Sequence, residues 1–226
     1  MKELTHKFFE AYLNAFPNET VYTDDVPQEM ISTEVNQDGW FQWKLIKGTL
    51  IEDEYKKIED EFKIKLPKSF IQWHQEFFFL DCDTSIARLP ISNPNLPLKS
   101  IKENLDWFVA GELISQQLYP FGDEGNDAGP LVFDGRNNVI DNNFPIRVYD
   151  HEFEGELDGL SEIIFSSFEK LIECLTHFMK ELKTRRNFEI IPDFFKIDPL
   201  GAGLTGVQYW SSWVNMQKGN FEKFGY

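Results

Sequence analysis

Three brief apolar runs, residues 118–121, 131–133 and 146–149, are separated by Gly, Asn, Asp and Pro, with helical stripes on both sides of them. Runs this short, bounded by turn formers, read as strands. The strongest stripe is Phe168, Leu171, Ile172, Leu175, Phe178, Met179 and Leu182, whose three- and four-residue spacing puts apolar side chains on one face of a helix. Another, Leu4, Phe8, Phe9, Tyr12, Leu13 and Phe16, stops at Pro17. Strand-like runs between helical stripes, with no internal repeat or evident linker, predict an α+β single domain with terminal elaborations. The 22 Phe residues predict a core built mainly on aromatic rings.

Local signals refine this order. Thr49-Leu50-Ile51-Glu52 and Ser100-Ile101-Lys102-Glu103 have the form of capping boxes, and Ser166-Ser167-Phe168-Glu169 caps what reads as the longest helix. The first box predicts a helix carrying Ile51, Tyr55, Ile58 and Phe62 on one face, and the second a short helix with Leu105 and Phe108. Pro67 fits the first turn of a helix holding Phe70, Ile71, Trp73, His74, Phe77 and Phe78. Residues 40–46 place Phe41, Trp43 and Leu45 on one side of a strand. The tail from residue 187 onward carries Phe194, Phe195, Tyr209, Trp210 and Trp213, too aromatic for disorder, and is expected to pack on the body.

The formal net charge is −16, and residues 121–165 hold 11 acids against two arginines, a net of −9. Such a surface is repelled by phosphate backbones, which argues against nucleic acid as a partner. No apolar run has the length that spans a bilayer, and the opening residues lack a secretory apolar region, so no membrane role is expected. Cys82 and Cys174 lie far apart in no metal-type spacing. Two free thiols suit a reducing compartment, and a soluble, cytoplasmic protein is the expectation.

Residues 51–79, with Lys65-Leu66-Pro67-Lys68-Ser69-Phe70, are similar to the opening helix, Leu-Pro turn and second helix of the SUKH superfamily, and three later segments follow in its order. Residues 119–134, from Tyr119-Pro120-Phe121-Gly122-Asp123-Glu124 to Val132-Phe133-Asp134, resemble its loop–strand element. Pro145-Ile146-Arg147-Val148-Tyr149-Asp150-His151-Glu152 is similar to the next strand and acidic turn, and Ser166-Ser167-Phe168-Glu169-Lys170-Leu171-Ile172 to the closing helix. After the Leu-Pro helix many members carry an Asn-Gly-Gly turn, where this chain runs on through Glu76-Phe77-Phe78-Phe79-Leu80-Asp81. The resemblance implies a twisted, mostly antiparallel sheet flanked by N- and C-terminal helices. Residues 49–186 would form the SUKH-like core, with an N-terminal helix and strand over 1–48 and an aromatic extension over 187–226. The superfamily includes a yeast regulator of cell-wall assembly and bacterial immunity proteins that neutralise toxins, and it has no common catalytic constellation.

The acidic segment is the candidate for function. Asp123, Glu124, Asp127, Asp150, Glu152, Glu154 and Glu156 are expected to bind a protein partner, a basic toxin domain, because complementary charge speeds association. The same carboxylates would also serve solubility alone. Alternatives are a regulatory scaffold, and an enzyme using a carboxylate pair or a divalent metal in these loops. The loop Asp123-Glu124-Gly125-Asn126-Asp127 departs from the calcium-loop pattern, with Gly125 at the third position. On a strand, Asp150, Glu152, Glu154 and Glu156 would share one face and leave His151 on the other. No catalytic residue, metal or cofactor is therefore expected. His6, His74 and His177 read as packing or surface residues, and Gly201-Ala202-Gly203-Leu204-Thr205-Gly206 as a turn without the βαβ unit of a dinucleotide site.

Overall fold

The computed structural model describes residues 1–22, 26–137 and 139–225. Helix α1 (Lys2–Ala15) buries Phe8, Phe9, Ala11 and Tyr12 and ends before Pro17, as the stripe predicts. Strand β1 (Thr20–Tyr22) pairs antiparallel with β2 (Trp40–Gln42). The strand predicted over 40–46 is thus divided: Trp43 bridges to Ile31, and β3 (Ile46–Lys47) starts separately.

Helix α2 (Glu52–Phe62) begins later than the Thr49 box implies. The Glu54 carboxylate accepts the Ile51 amide at 3.0 Å, so Ile51 takes the cap position and its side chain is exposed. Three acids in the first turn, Glu52, Asp53 and Glu54, suit the positive end of the helix. Helix α3 (Lys68–His74) follows Pro67. It stops short of the predicted Phe77 and Phe78, which form β4 (Phe77–Phe78) and pair with β3. The unbroken apolar run from Phe77 to Leu80 lacks the helical period, and strand pairing satisfies its backbone.

The main sheet has four strands in the order β5 (Ala87–Arg88), β6 (Leu118–Glu124), β7 (Pro130–Asp134) and β8 (Ile146–Val148), every pair antiparallel. The register of β6 shifts between Pro120 and Gly122, a bulge at Phe121. A methyl group on Gly122 would meet the Arg88 carbonyl oxygen at 2.6 Å, so glycine permits the approach of β5. Helices α4 (Lys99–Leu105) and α5 (Ala110–Ser115) stand between β5 and β6 in the chain. Ser100 lies inside α4 rather than at its cap, with Leu98 in the cap position.

Helix α6 (Phe168–Glu181) is capped within the predicted Ser166–Glu169 run, at Ser167, the Lys170 amide donating to Ser167 Oγ at 3.2 Å. It lies along α1, and its Phe168 joins the centre of the core. Phe121 and Phe133 stack at 3.8 Å between centroids, and Phe70 and Phe168 meet them edge-on. These rings link the sheet to α3 and α6. Helix α2 reaches the core through α3, where the Tyr55 hydroxyl and His74 Nδ1 lie 2.8 Å apart. On the opposite sheet face, Leu113, Leu118, Val132 and Tyr149 form a smaller cluster with Trp107 and Leu160 packed against it.

The tail is helical: α7 (Asn187–Ile190), α8 (Phe194–Ile197), a π-helix (Gly201–Thr205) where a turn was expected, and α9 (Val207–Phe224), whose 18 residues exceed the 14 of α6. Trp210 packs against Phe165 and Phe194, and both Trp210 and Trp213 are buried. Tyr226 lies outside the described residues. Asp198, 1 % exposed, fastens the tail by accepting the Ser166 amide at 2.7 Å, the Ser166 hydroxyl at 2.6 Å and the Gly201 amide at 3.1 Å. One aromatic core thus runs from Phe8 to Trp213, so both chain ends share it, and the α+β single domain is as expected. Among the described residues, no helix is long and apolar enough to cross a membrane.

Candidate functional site

The β6–β7 hairpin divides the predicted carboxylates by environment. Glu124, expected on the surface, is 3 % exposed. Its carboxylate accepts the Asn126 amide at 2.6 Å, the Asn126 side chain at 3.1 Å and the Trp213 indole N–H at 3.3 Å. It is therefore an internal tie between the hairpin turn and α9, unsuited to touching a partner. Burial pushes the neighbouring Tyr209 phenol well up, and Glu124 adds to the rise. Asp127 sits in the left-handed region (φ 59°) at the turn and pairs with Arg88 at 2.8 Å. Arg88 also reaches Asp83 at 3.2 Å, so one guanidinium serves two carboxylates. Asp123 is exposed, and among the described residues it has no ion-pair partner within 4.0 Å.

The acidic stretch after β8 is not a strand, and the shared face expected for Asp150, Glu152, Glu154 and Glu156 does not form. Asp150, half-buried, caps a 3₁₀ turn (His151–Phe153) by accepting the Glu152 amide at 3.0 Å. Glu154 (φ 49°) and Gly155 (φ 101°) then reverse the chain into a second 3₁₀ turn (Leu157–Gly159). Beyond its own turn bonds, this coil is held by the Gly155 amide donating to the Tyr149 hydroxyl at 2.5 Å and the Gln116 side chain donating to the Gly155 carbonyl at 2.9 Å. The alternation of acids is thus overridden by contacts with α5 that no local pattern announces. Glu152, Glu154, Glu156 and Asp158 are all exposed, and among the described residues none has an ion-pair partner. His151 stands beside them, its Nδ1–H donating to the Ala128 carbonyl at 3.3 Å.

Next to these carboxylates lies an open depression of about 510 Å³ whose lining includes Arg88, Glu103, Trp107, Phe108, Asp123, Asp127 and His151. Phe108 was expected on the buried face of a helix, yet α4 ends at Leu105 and the Phe108 ring is 75 % exposed. Trp107, half-buried, meets it edge-on at 4.9 Å. The sequence reasoning missed this pair as surface, although a Trp-Phe step past a helix end breaks the helical period and was the available signal.

Several other titratable side chains are engaged elsewhere. Asp134 is buried, where dehydration works against its charge, but bonds from Arg136 and Arg147 outweigh this and hold its carboxyl below the ordinary value. His177 pairs with Asp193 and His6 with Glu76. Cys82 and Cys174 are buried and free, and burial pushes both thiols up, away from the nucleophilic thiolate. Among the described residues, no three His, Cys, Asp or Glu side chains converge as a metal site would require. What this face offers chemically is unpaired negative charge beside exposed aromatic surface. Comparison with protein-family models finds none that matches the chain, and comparisons with curated proteins and with solved structures likewise find no match.

Proposed function

We propose that the protein is a non-catalytic binding module of the SUKH type that neutralises a basic protein, a toxin domain, through its acidic face. The observation that carries this reading is the acidic coil: Glu152, Glu154, Glu156 and Asp158 project into solvent with no ion-pair partner among the described residues, on a backbone pinned to α5. Unpaired like charges repel one another, and a positive partner relieves that repulsion while its approach is steered by the same field. The exposed Phe108 nearby supplies apolar surface of the kind that anchors protein interfaces. The Asp123–Asp127 turn extends the negative face, whereas Glu124 acts inside.

The test is kinetic. The product of the adjacent gene is the candidate partner, and association is measured at two salt concentrations. The triple variant Glu152→Lys, Glu154→Lys, Glu156→Lys should slow association by roughly tenfold and flatten its salt dependence. Dissociation and melting should change little, since exposed substitutions stay within about 0.5 kcal/mol. An unchanged association rate and salt slope would reduce the coil to a solubility feature.

A further inference from the structure

The depression beside the acidic coil carries an inference that rests on the binding function above and deepens it. Its charged lining is matched everywhere but at one point. Arg88 is held between Asp83 and Asp127, and Glu103 has Lys99 at 3.6 Å. Asp123 has no such partner among the described residues. Partial dehydration in the concave wall pushes its carboxyl above the ordinary value, Arg88 opposes this, and Asp127 adds to it. The net charge around the depression stays negative, with Asp83, Glu103, Asp123 and Asp127 against Arg88 and Lys99.

The other side of the lining is aromatic. Trp107 and Phe108 stand at 71° to each other, so their ring faces point in different directions, and Phe108 is left largely uncovered. Arg88 lies across from Asp123 in the β5–β6 pair but is ion-paired to Asp83 and Asp127, so the Asp123 carboxylate can still attract a cation, and a ring face attracts one through its quadrupole. Both are satisfied at once by a planar guanidinium, whose N–H fork binds a carboxylate while its plane lies on a ring. An ammonium is more strongly hydrated and offers no plane to stack. A metal ion is the poorer fit, because no three ligating side chains converge among the described residues.

We propose that this depression receives an arginine side chain of the protein partner, with its guanidinium between the Asp123 carboxylate and the Trp107–Phe108 rings. The acidic coil speeds the encounter, and the arginine site holds the complex once it is formed.

The experiment needs no partner protein. The probe is the blocked tripeptide acetyl-Gly-Arg-Gly-amide, titrated into the full chain and followed by the indole N–H resonance of Trp107, assigned with Trp107→Phe. The control replaces arginine by citrulline, which has nearly the same shape and no charge. The arginine peptide should shift the Trp107 signal saturably, and the citrulline peptide should not. Asp123→Asn should weaken binding by about tenfold or more, and Phe108→Ala should weaken it as well. The triple Glu-to-Lys variant alters exposed charges that are not part of the lining, and should weaken binding less than Asp123→Asn does, because solvent and salt screen them. Equal responses to arginine and citrulline, no shift at Trp107, or full binding by Asp123→Asn overturns the site. If the peptide fails while the triple variant still slows the partner, only the arginine site falls. If the peptide saturates while partner association ignores the triple variant, only the acidic coil falls.

Discussion

Two glutamates of the same acidic segment should respond very unequally to the same truncation. Glu124→Ala removes the acceptor of the Trp213 indole N–H, and Trp213 is only 5 % exposed, so water has poor access to the orphaned donor. Leaving a buried donor unpaired costs about 1–3 kcal/mol. Losing a buried methylene adds about 0.8 kcal/mol. The Asn126 amide, on an exposed residue, recovers most of its bond from water and adds little. The total is about 3 kcal/mol, or about 6–12 °C in melting temperature for a chain of this size. Glu124→Gln keeps one acceptor oxygen and should cost about 1 kcal/mol. Glu152→Ala, on the exposed coil, should stay within about 0.5 kcal/mol of wild type. Urea unfolding, followed by tryptophan fluorescence and by circular dichroism, gives these differences as midpoint shifts at constant slope. A Glu124→Ala midpoint indistinguishable from that of Glu152→Ala would refute the internal tie between the hairpin and α9.

The glycines give a second contrast. A methyl group at Gly201 would overlap the Ser166 amide nitrogen and the Asp198 carboxylate, so Gly201→Ala should cost about 1–3 kcal/mol or more. Gly111→Ala, in the exposed part of α5 with nothing within 4 Å, should gain up to about 1 kcal/mol, and calorimetry that reversed this order would contradict the packing of the tail. His74 sets a pH dependence: burial lowers its pKa from the ordinary 6.5 to about 4, while its bond to the Ile91 carbonyl opposes this. The unfolded chain therefore binds the proton more readily, and the stability this residue contributes is complete above pH 6.5 and lost as pH falls toward 4. Wild type should lose about 3 kcal/mol more than His74→Gln across that window, and parallel urea midpoints for the two proteins would refute it.

Much of the core was legible without coordinates. The stripes of α1 and α6, the Ser167 cap and the strand runs of β6, β7 and β8 are local patterns, set by side-chain period and by residues a few positions apart. Patterns failed where a distant contact outweighed a local preference. The Thr49 and Ser100 boxes were displaced because other residues cap or enter those helices, and Phe77 and Phe78 left a helical stripe to pair with β3. The acids after β8 alternate like a strand but are folded into 3₁₀ turns in which the Gly155 amide donates to the Tyr149 hydroxyl and its carbonyl accepts from Gln116.

The amino-acid sequence by itself determined the class of the fold, the aromatic character of the core and the acidity of one segment. Composition and period survive any arrangement of the elements. Only the tertiary structure decided which acid does what. Glu124 and Trp213 are 89 residues apart in the chain, and their bond turns a nominal surface charge into an internal tie. Asp123, one position earlier, points the other way along the same strand and, with no ion pair among the described residues, stands beside Trp107 and Phe108. Burial and pairing depend on what lies across space, and no spacing along the chain encodes that for a single carboxylate.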